Sequence, residues 1–446
     1  MGFREGLAVL IGIIIGSGIF RTPGKVLAAC GTPGWTIAAW IVGGVLSFLG
    51  ALVVAELCAR LPRAGGTYAF LKEAYGKPLA FAFAATGVVA FKPLAIAGFS
   101  RVCAEHLLVA LTGIPASSGA VSIASVGLVL SVTVFNLFGT LGSARLQIAA
   151  TAAKALVLVG VIMVAATRAG DGWGPVTGSA SSPAATAFAT ALASVLWSYD
   201  GWADLGYMAG EVKDPRRTLP RLFAIGMIAV AALYVAANMA YLVALPADVM
   251  ANGKTVAVDA LSGLLSNSVA TRVAAAAIAL STFGAVNASI LSGGRIPYAA
   301  ASDGLMPSRL ARLDHRGTPR AALWLQGVLS AVLAWSATFE DLADAFVVTT
   351  WLFYVPMSLA AVTLRRRHGA PTKDSFSMPA YPWPIVIFVA SALVFLTLRF
   401  MVDPLAKAAA GVAGLAVVLG YVLWGKSSGR GASNRGDPPP DLPECR

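Results

Sequence analysis

Apolar residues in this chain come in runs of about twenty, separated by short clusters of charged, glycine and proline residues. That is the length an α-helix needs to cross hydrocarbon. Twelve such spans are predicted, at approximately residues 6–28, 35–59, 79–108, 121–139, 145–167, 187–209, 219–245, 270–300, 320–338, 341–364, 383–402 and 405–424. Two of them are irregular. Span 1 contains "LIGIIIGSGIFRTPG", in which Gly16 and Gly18 flank Ser17, and span 6 is interrupted by Ser198, Tyr199, Asp200 and Gly201. Glycine costs roughly 1 kcal/mol relative to alanine inside a helix. Backbone groups freed at mid-membrane depth are tolerated only in protein or beside a polar cavity. Interrupted helices at matching positions of two halves point to a transporter binding site. With five spans per unit, span 6 runs antiparallel to span 1. Glycines also serve plain helix packing, which is the reading for "GGVLSFLG" from Gly43 to Gly50. The "GSG" stretch alone fits packing and binding equally; its partner break in span 6 favours binding.

Composition agrees with a polytopic helical membrane protein. Of 446 residues, 57% are hydrophobic and only 12% charged, about half the charged share of soluble domains. The net charge of +12 lies in short loops between spans, so it reports topology and excludes a nucleic-acid footprint. Arg60, Arg63, Lys72 and Lys77 follow span 2, and Lys213, Arg216, Arg217 and Arg221 follow span 6. The loops after spans 8 and 10 are likewise basic, whereas the opposite loops are poor in Lys and Arg and include the acidic "FED" at Phe339 to Asp341. Both termini are therefore expected in the cytoplasm, with the protein in the plasma (inner) membrane. The Gly- and Pro-rich tail, residues 425–446, reads as disordered. Four cysteines and three histidines show no metal-site spacing. No metal, cofactor or catalytic constellation is expected, and the chain does not read as an enzyme.

The segments "GIIIGSGIF", "LSFLGALVVAELCARLPRAGGTYAFLKEAYG", "WSYDGWADLGYMAGEVKDPRRTLP" and "STFGAVNASILSGGRIPYAAASDGLMP" resemble the amino acid–polyamine–organocation superfamily. Within it they are similar to the L-amino-acid transporter family, including bacterial stand-alone members. The resemblance implies a leucine-transporter-like fold. Two inverted repeats, residues 1–168 and 186–366, would be followed by helices 11 and 12 in residues 383–424. It also implies alternating access by rocking of helices 1, 2, 6 and 7 against a scaffold, in a secondary transporter of L-amino acids working by exchange or proton-linked uptake.

An amino acid is a zwitterion, and two broken helices suit it. The carboxylate is expected on N–H groups of Ser17, Gly18 and Ile19, at the positive end of the restarted helix, with Gly16 and Gly18 permitting close approach. The ammonium is expected on carbonyls of Ile13 and Ile14 in helix 1 and of Trp197, Ser198 and Tyr199 in helix 6. By the resemblance, Trp197 covers the substrate from outside, and Ala203 stands where relatives often carry Asn. Asp200 is either an attraction for a cationic substrate or a cap on the broken helix. Lys92, in the pair Lys92–Pro93, either borders the side-chain pocket or reaches polar groups in the bundle. Lys154 lies nine residues into span 5, about 13 Å from Arg145 along the helix, near the limit for snorkelling. In the family such a lysine stands where sodium-coupled relatives hold the ion. Carried over, Lys154 would bridge carbonyls near Gly16 and the Ser281–Thr282 region, with Tyr234 in support, making transport sodium-independent and open to proton coupling. The stretch "HLLVALTGIPASSGA" lacks the cysteine through which animal members bind a heavy chain, so no disulfide-linked partner is expected. A polyamine or organocation carrier is the alternative within transport; a membrane solute sensor is the alternative outside it.

Overall fold

The computed structural model describes residues 2–62, 65–138, 155–156, 158–160, 162–163, 174–178, 182–253, 256–265, 268–315, 317–372 and 375–424. In chain order its helices are α1 (Phe3–Ile14), α2 (Gly18–Cys30), α3 (Pro33–Arg60), α4 (Thr67–Tyr75), α5 (Lys77–Thr112) and α6 (Ser118–Leu137). After the fifth predicted span come α7 (Ala185–Tyr199), the single turn α8 (Asp204–Tyr207), α9 (Pro215–Ala244), α10 (Ala247–Asn252), α11 (Val256–Leu265) and α12 (Ser268–Ser302). The last four are α13 (Arg320–Ser336), α14 (Phe339–His368), α15 (Trp383–Val402) and α16 (Pro404–Trp424). Among the described residues, seven helices are long and apolar enough to cross a membrane, and α1 with α2, bent by 42° at their break, are so when taken together. Helices α7 and α13, with 15 and 17 residues, are shorter, and occupy the positions predicted for spans 6 and 9. Most of predicted span 5, including Lys154, and the whole tail, residues 425–446, lie outside the described residues.

Local chemistry explains where these helices start and stop. Gly31, at φ 75°, ends α2, and the Thr32 hydroxyl accepts the Trp35 N–H to open α3 with Pro33 in its first turn. Gly113, at φ 80°, ends α5. Thr338 and Asp341 form a reciprocal capping box at the start of α14, whose last turn carries Arg365, Arg366, Arg367 and His368 against the negative end of the helix dipole. Within α5 the residues Gly87–Phe91 form a π-helical turn, and the Lys92 N–H reaches back to the Gly87 carbonyl. Pro93 has no N–H to give the preceding turn, so the ladder loosens just where Lys92 projects.

Charged side chains tie the ends of the bundle together. At the start of α14, Arg21 of α2 pairs with Glu105 of α5 and, at 3.0 Å, with Glu340, while its guanidinium lies over the Phe339 ring. Lys25 and Arg399 both approach Asp344 at 3.3 Å. At the other end of α14, Arg365 and Arg60 flank the fully buried Glu56, which also accepts the Met378 N–H at 2.9 Å. Lys72 pairs with Asp303 at 2.6 Å, and Tyr68 donates to the same carboxylate. Off the bundle, the N–H and hydroxyl of Thr177 both donate to Asp248, holding that carboxyl below the usual carboxylate range.

Removing one partner from a buried ion pair leaves an uncompensated charge. Arg365→Ala is therefore expected to destabilise the protein by about 3 kcal/mol, read as a lower melting temperature in detergent. A melting temperature equal to the parent's would show that Arg60 alone satisfies Glu56.

Candidate substrate site at two helix breaks

The two interruptions predicted from sequence lie against each other. Helix α1 ends at Ile14; Ile15, at ψ 83°, leaves helical geometry; and the Gly16 N–H turns back to the Ile14 carbonyl at 2.7 Å. The chain restarts as α2 at Gly18. Helix α7 likewise ends at Tyr199, Asp200 is extended, and Gly201 takes φ 107°, a conformation that favours glycine. A Cβ on Gly18 would sit 2.6 Å from the Cα of Ser198, and one on Gly201 would sit 2.7 Å from the Ile13 side chain and 3.3 Å from its carbonyl. A Cβ on Gly16 would strike the Phe99 ring at 2.8 Å. Gly18 and Gly201 therefore let one break press into the other, and Gly16 lets Phe99 of α5 approach the first. The glycines of "GGVLSFLG" do serve packing: Gly43 lies on Val195, Gly44 on Tyr199 and Gly50 on Trp202 and Phe388.

Each break frees carbonyl groups, and Tyr234 of α9 stands on them. Its buried hydroxyl lies 3.0 Å from the Ile14 carbonyl and 3.1 Å from the Ser198 carbonyl, so one donor serves both breaks. The hydroxyls of Thr22 and Ser198 lie 2.9 Å apart, a second link. The Trp197 carbonyl accepts the Asp200 N–H at 3.4 Å. Donors are not matched in the same way. Among the described residues, the N–H groups of Ser17, Gly18 and Ile19 make no backbone hydrogen bond, and the fully buried Ser17 Oγ has no partner. These are the groups a helix start aims at an anion.

Beside the breaks lies a cavity of about 20 Å³, room for roughly one water molecule. Ile13, Lys92, Phe99, Trp197, Asp200, Gly201, Asp204, Ser289 and Phe346 line it, together with Ala95. Trp197 is buried in an aromatic cluster, its ring 5.0 Å from Phe346, 5.2 Å from Phe99 and 5.5 Å from Phe339. Asp200 accepts the Tyr354 hydroxyl at 2.7 Å. Lys92 faces Asp204, the first residue of α8: its Nζ lies 2.7 Å from both carboxylate oxygens and 3.2 Å from Ser292 Oγ. Ser292 Oγ in turn donates to Asp204 at 3.0 Å, and the Tyr207 ring lies beneath the ammonium at 5.2 Å.

Of the residues singled out from sequence, the structure brings Ile13, Ile14, Gly16, Ser17, Gly18, Trp197, Ser198, Asp200, Lys92 and Tyr234 to this site. Ile19 and Tyr199 are buried beside it, Tyr199 with its ring against Trp40 and Tyr234. Ala203 is buried next to Asp204 and does not line the cavity. Ser281 and Thr282 also stand apart from the cavity lining: Thr282 bonds to carbonyls of its own helix, and the buried Ser281 Oγ has no partner among the described residues. Asp204, Ser292, Tyr354, Phe99 and Gly201 were not foreseen as site residues. Asp204 had a signal, being a second carboxylate four residues after Asp200 in a span that can ill tolerate one.

Similarity to known proteins agrees with this geometry. The family model described as amino acid permease matches residues 2–423. The serine/threonine exchanger SteT of Bacillus subtilis is 30% identical over 427 residues, covering 94% of this chain and 96% of SteT. The human b(0,+)-type amino acid transporter 1 is 30% identical over 409 residues, 88% of this chain and 82% of its own. The rat large neutral amino acids transporter small subunit 2 is 30% identical over 405 residues, 89% and 75% of the two chains. A protein with apolar spanning helices and such relatives is an integral membrane transporter. The chain belongs to the amino acid permease family of the amino acid–polyamine–organocation superfamily, and it is an amino acid transporter.

Gly18→Leu is expected to abolish amino acid uptake in a protein still inserted in the membrane, because its side chain would displace Ser198; normal uptake would remove the breaks from the transport site. Tyr234→Phe strands the Ser198 carbonyl and leaves the Ile14 carbonyl to the Gly16 N–H alone, so thermal unfolding should register a loss of about 1–3 kcal/mol together with slower uptake. Unfolding at the parent's temperature would mean the hydroxyl contributes nothing.

Proposed function

We propose that this chain moves small neutral L-amino acids across the plasma membrane without sodium, by exchange or proton-linked uptake. The observation that carries the reading is the asymmetry of the paired breaks. Their carbonyls are partly served by Tyr234, whereas among the described residues the N–H groups of Ser17, Gly18 and Ile19 make no hydrogen bond and the Ser17 hydroxyl has no partner. An α-carboxylate supplies four acceptor sites to such a cluster. The α-ammonium would take the carbonyls of Ile13, Ile14, Trp197, Ser198 and Tyr199, displacing or sharing the Tyr234 hydroxyl. The side chain would enter between Trp197, Phe99, Phe346 and Lys92, where there is little room. Serine/threonine exchange by SteT, as its name states, is consistent with a short side chain.

In this reading the twelve spans adopt the leucine-transporter-like arrangement. Residues 1–168 and 186–366 are inverted repeats, residues 383–424 are peripheral helices, and both termini face the cytoplasm. The bundle rocks against its scaffold, with Trp197 closing over the substrate. Lys154 fills the place of a sodium ion, its ammonium between the Gly16 region and Ser281, whose hydroxyl has no partner among the described residues and can accept from it. No heavy chain is required, and Cys103 is buried within α5, its thiol on the Ala279 carbonyl.

Proteoliposomes loaded with unlabelled L-serine should take up labelled L-alanine, L-serine or L-threonine equally well with and without sodium. Decarboxylated amines such as ethanolamine and putrescine should not compete. A sodium requirement would sink the role given to Lys154. Competition by putrescine as strong as by L-alanine would favour an organocation carrier instead.

A further inference from the structure

Three charged side chains line the cavity, Lys92, Asp204 and Asp200, and they are not equally available. The three protons of the Lys92 ammonium have three acceptors, both oxygens of Asp204 and Ser292 Oγ. Asp204 is in turn held by Ser292. Lys92 and Asp204 are both buried, at 4% and 9% exposure, so water screens the pair little. Asp200 has one oxygen on the Tyr354 hydroxyl and no cation of its own among the described residues. The wall thus presents one closed ion pair and one carboxyl group that has no cation, with no donor left on its single cation.

We propose that the Lys92–Asp204 pair sets the charge selectivity of the transport site, each member masking the preference the other would impose. This rests on the amino acid site described above. An acidic side chain entering the cavity meets Asp200 while Lys92 is fully engaged, so it is excluded. A neutral side chain meets a wall that asks for no counter-charge. Without Asp204, Lys92 becomes a free cation facing the substrate, and acidic amino acids gain a partner. Without Lys92, two carboxylates face the substrate, and cationic amino acids gain one. Lys92 and Asp204 are specificity-determining residues; neither needs to touch the α-carboxylate or α-ammonium.

The test is a competition series against labelled L-alanine uptake in proteoliposomes. For the parent, L-aspartate and L-glutamate should fail to compete. In Asp204→Asn, L-glutamate should improve by about tenfold or more relative to unlabelled L-alanine; in Lys92→Met, L-lysine should improve by a similar factor. The double exchange Lys92→Asp with Asp204→Lys should return the ranking towards the parent's. Ligand-induced thermal stabilisation in detergent gives the same rankings for a variant that folds and binds without transporting. Parent uptake inhibited by L-glutamate as strongly as by L-alanine would overturn the proposal without any variant. So would folded Asp204→Asn and Lys92→Met proteins that keep the parent's ranking, since the pair would then be scaffold only. A parent that takes up no amino acid at all would instead sink the amino acid site itself.

Discussion

Hydrocarbon offers no partner to a backbone N–H or carbonyl, and the centre of this protein is arranged around that constraint. Two helices stop in mid-bundle, and every group so freed needs protein, water or ligand. The Tyr234 hydroxyl reaches a carbonyl from each break, and the Thr22 hydroxyl joins that of Ser198. Among the described residues, the groups without a hydrogen bond include a set of donors, the N–H groups at the start of α2 and the Ser17 hydroxyl. The chemistry of the site is that remainder: a place for an anion beside carbonyls that accept a cation.

Charge inside the bundle obeys a related rule. A buried charge is costly unless paired, and three groups of charges inside the bundle are paired. Arg21 is held between Glu105 and Glu340, Glu56 between Arg60 and Arg365, and Lys92 against Asp204. The first two groups lie near opposite ends of α14, a 30-residue helix about 45 Å long. Both ends of that helix are tied, and about 20 Å³ is open at the centre of the bundle. Ion pairs between helices are apt for this role because their energy depends steeply on separation, so a small relative shift of two helices breaks them.

The two breaks were legible because glycine and polar residues inside an apolar run violate helix preference, and a violation at matching positions in two halves is rarely accidental. Their significance was legible only in part. Gly18 reads from sequence as room for a ligand, yet its neighbour in the fold is the backbone of Ser198, and Gly16 yields to Phe99. Close helix approach and access to the backbone turn out to be one requirement here, since pressing the breaks together gathers their free groups. Lys92 was legible as an expensive charge near the pocket; that its partner is Asp204 was not. Sequence separates the two by 112 positions, and the nearer carboxylate motif, Asp200, instead takes a tyrosine hydroxyl.

Hydrophobic period and run length alone determine that this chain is helical and membrane-embedded, because the thickness of hydrocarbon sets how long an apolar run must be. Local residue chemistry marks where helices α1 and α7 fail, Gly201 through its own backbone at φ 107° and Gly16 and Gly18 through the room that a missing Cβ leaves. Tertiary structure decides which side chains meet at those failures. Tyr234 reaches Ile14 and Ser198 across 220 and 36 positions, and Ser292 reaches Asp204 across 88. No local rule encodes such meetings. Two groups far apart in the chain interact only once packing has fixed the distance between their helices, and a hydrogen bond or ion pair is decided within a few tenths of an ångström.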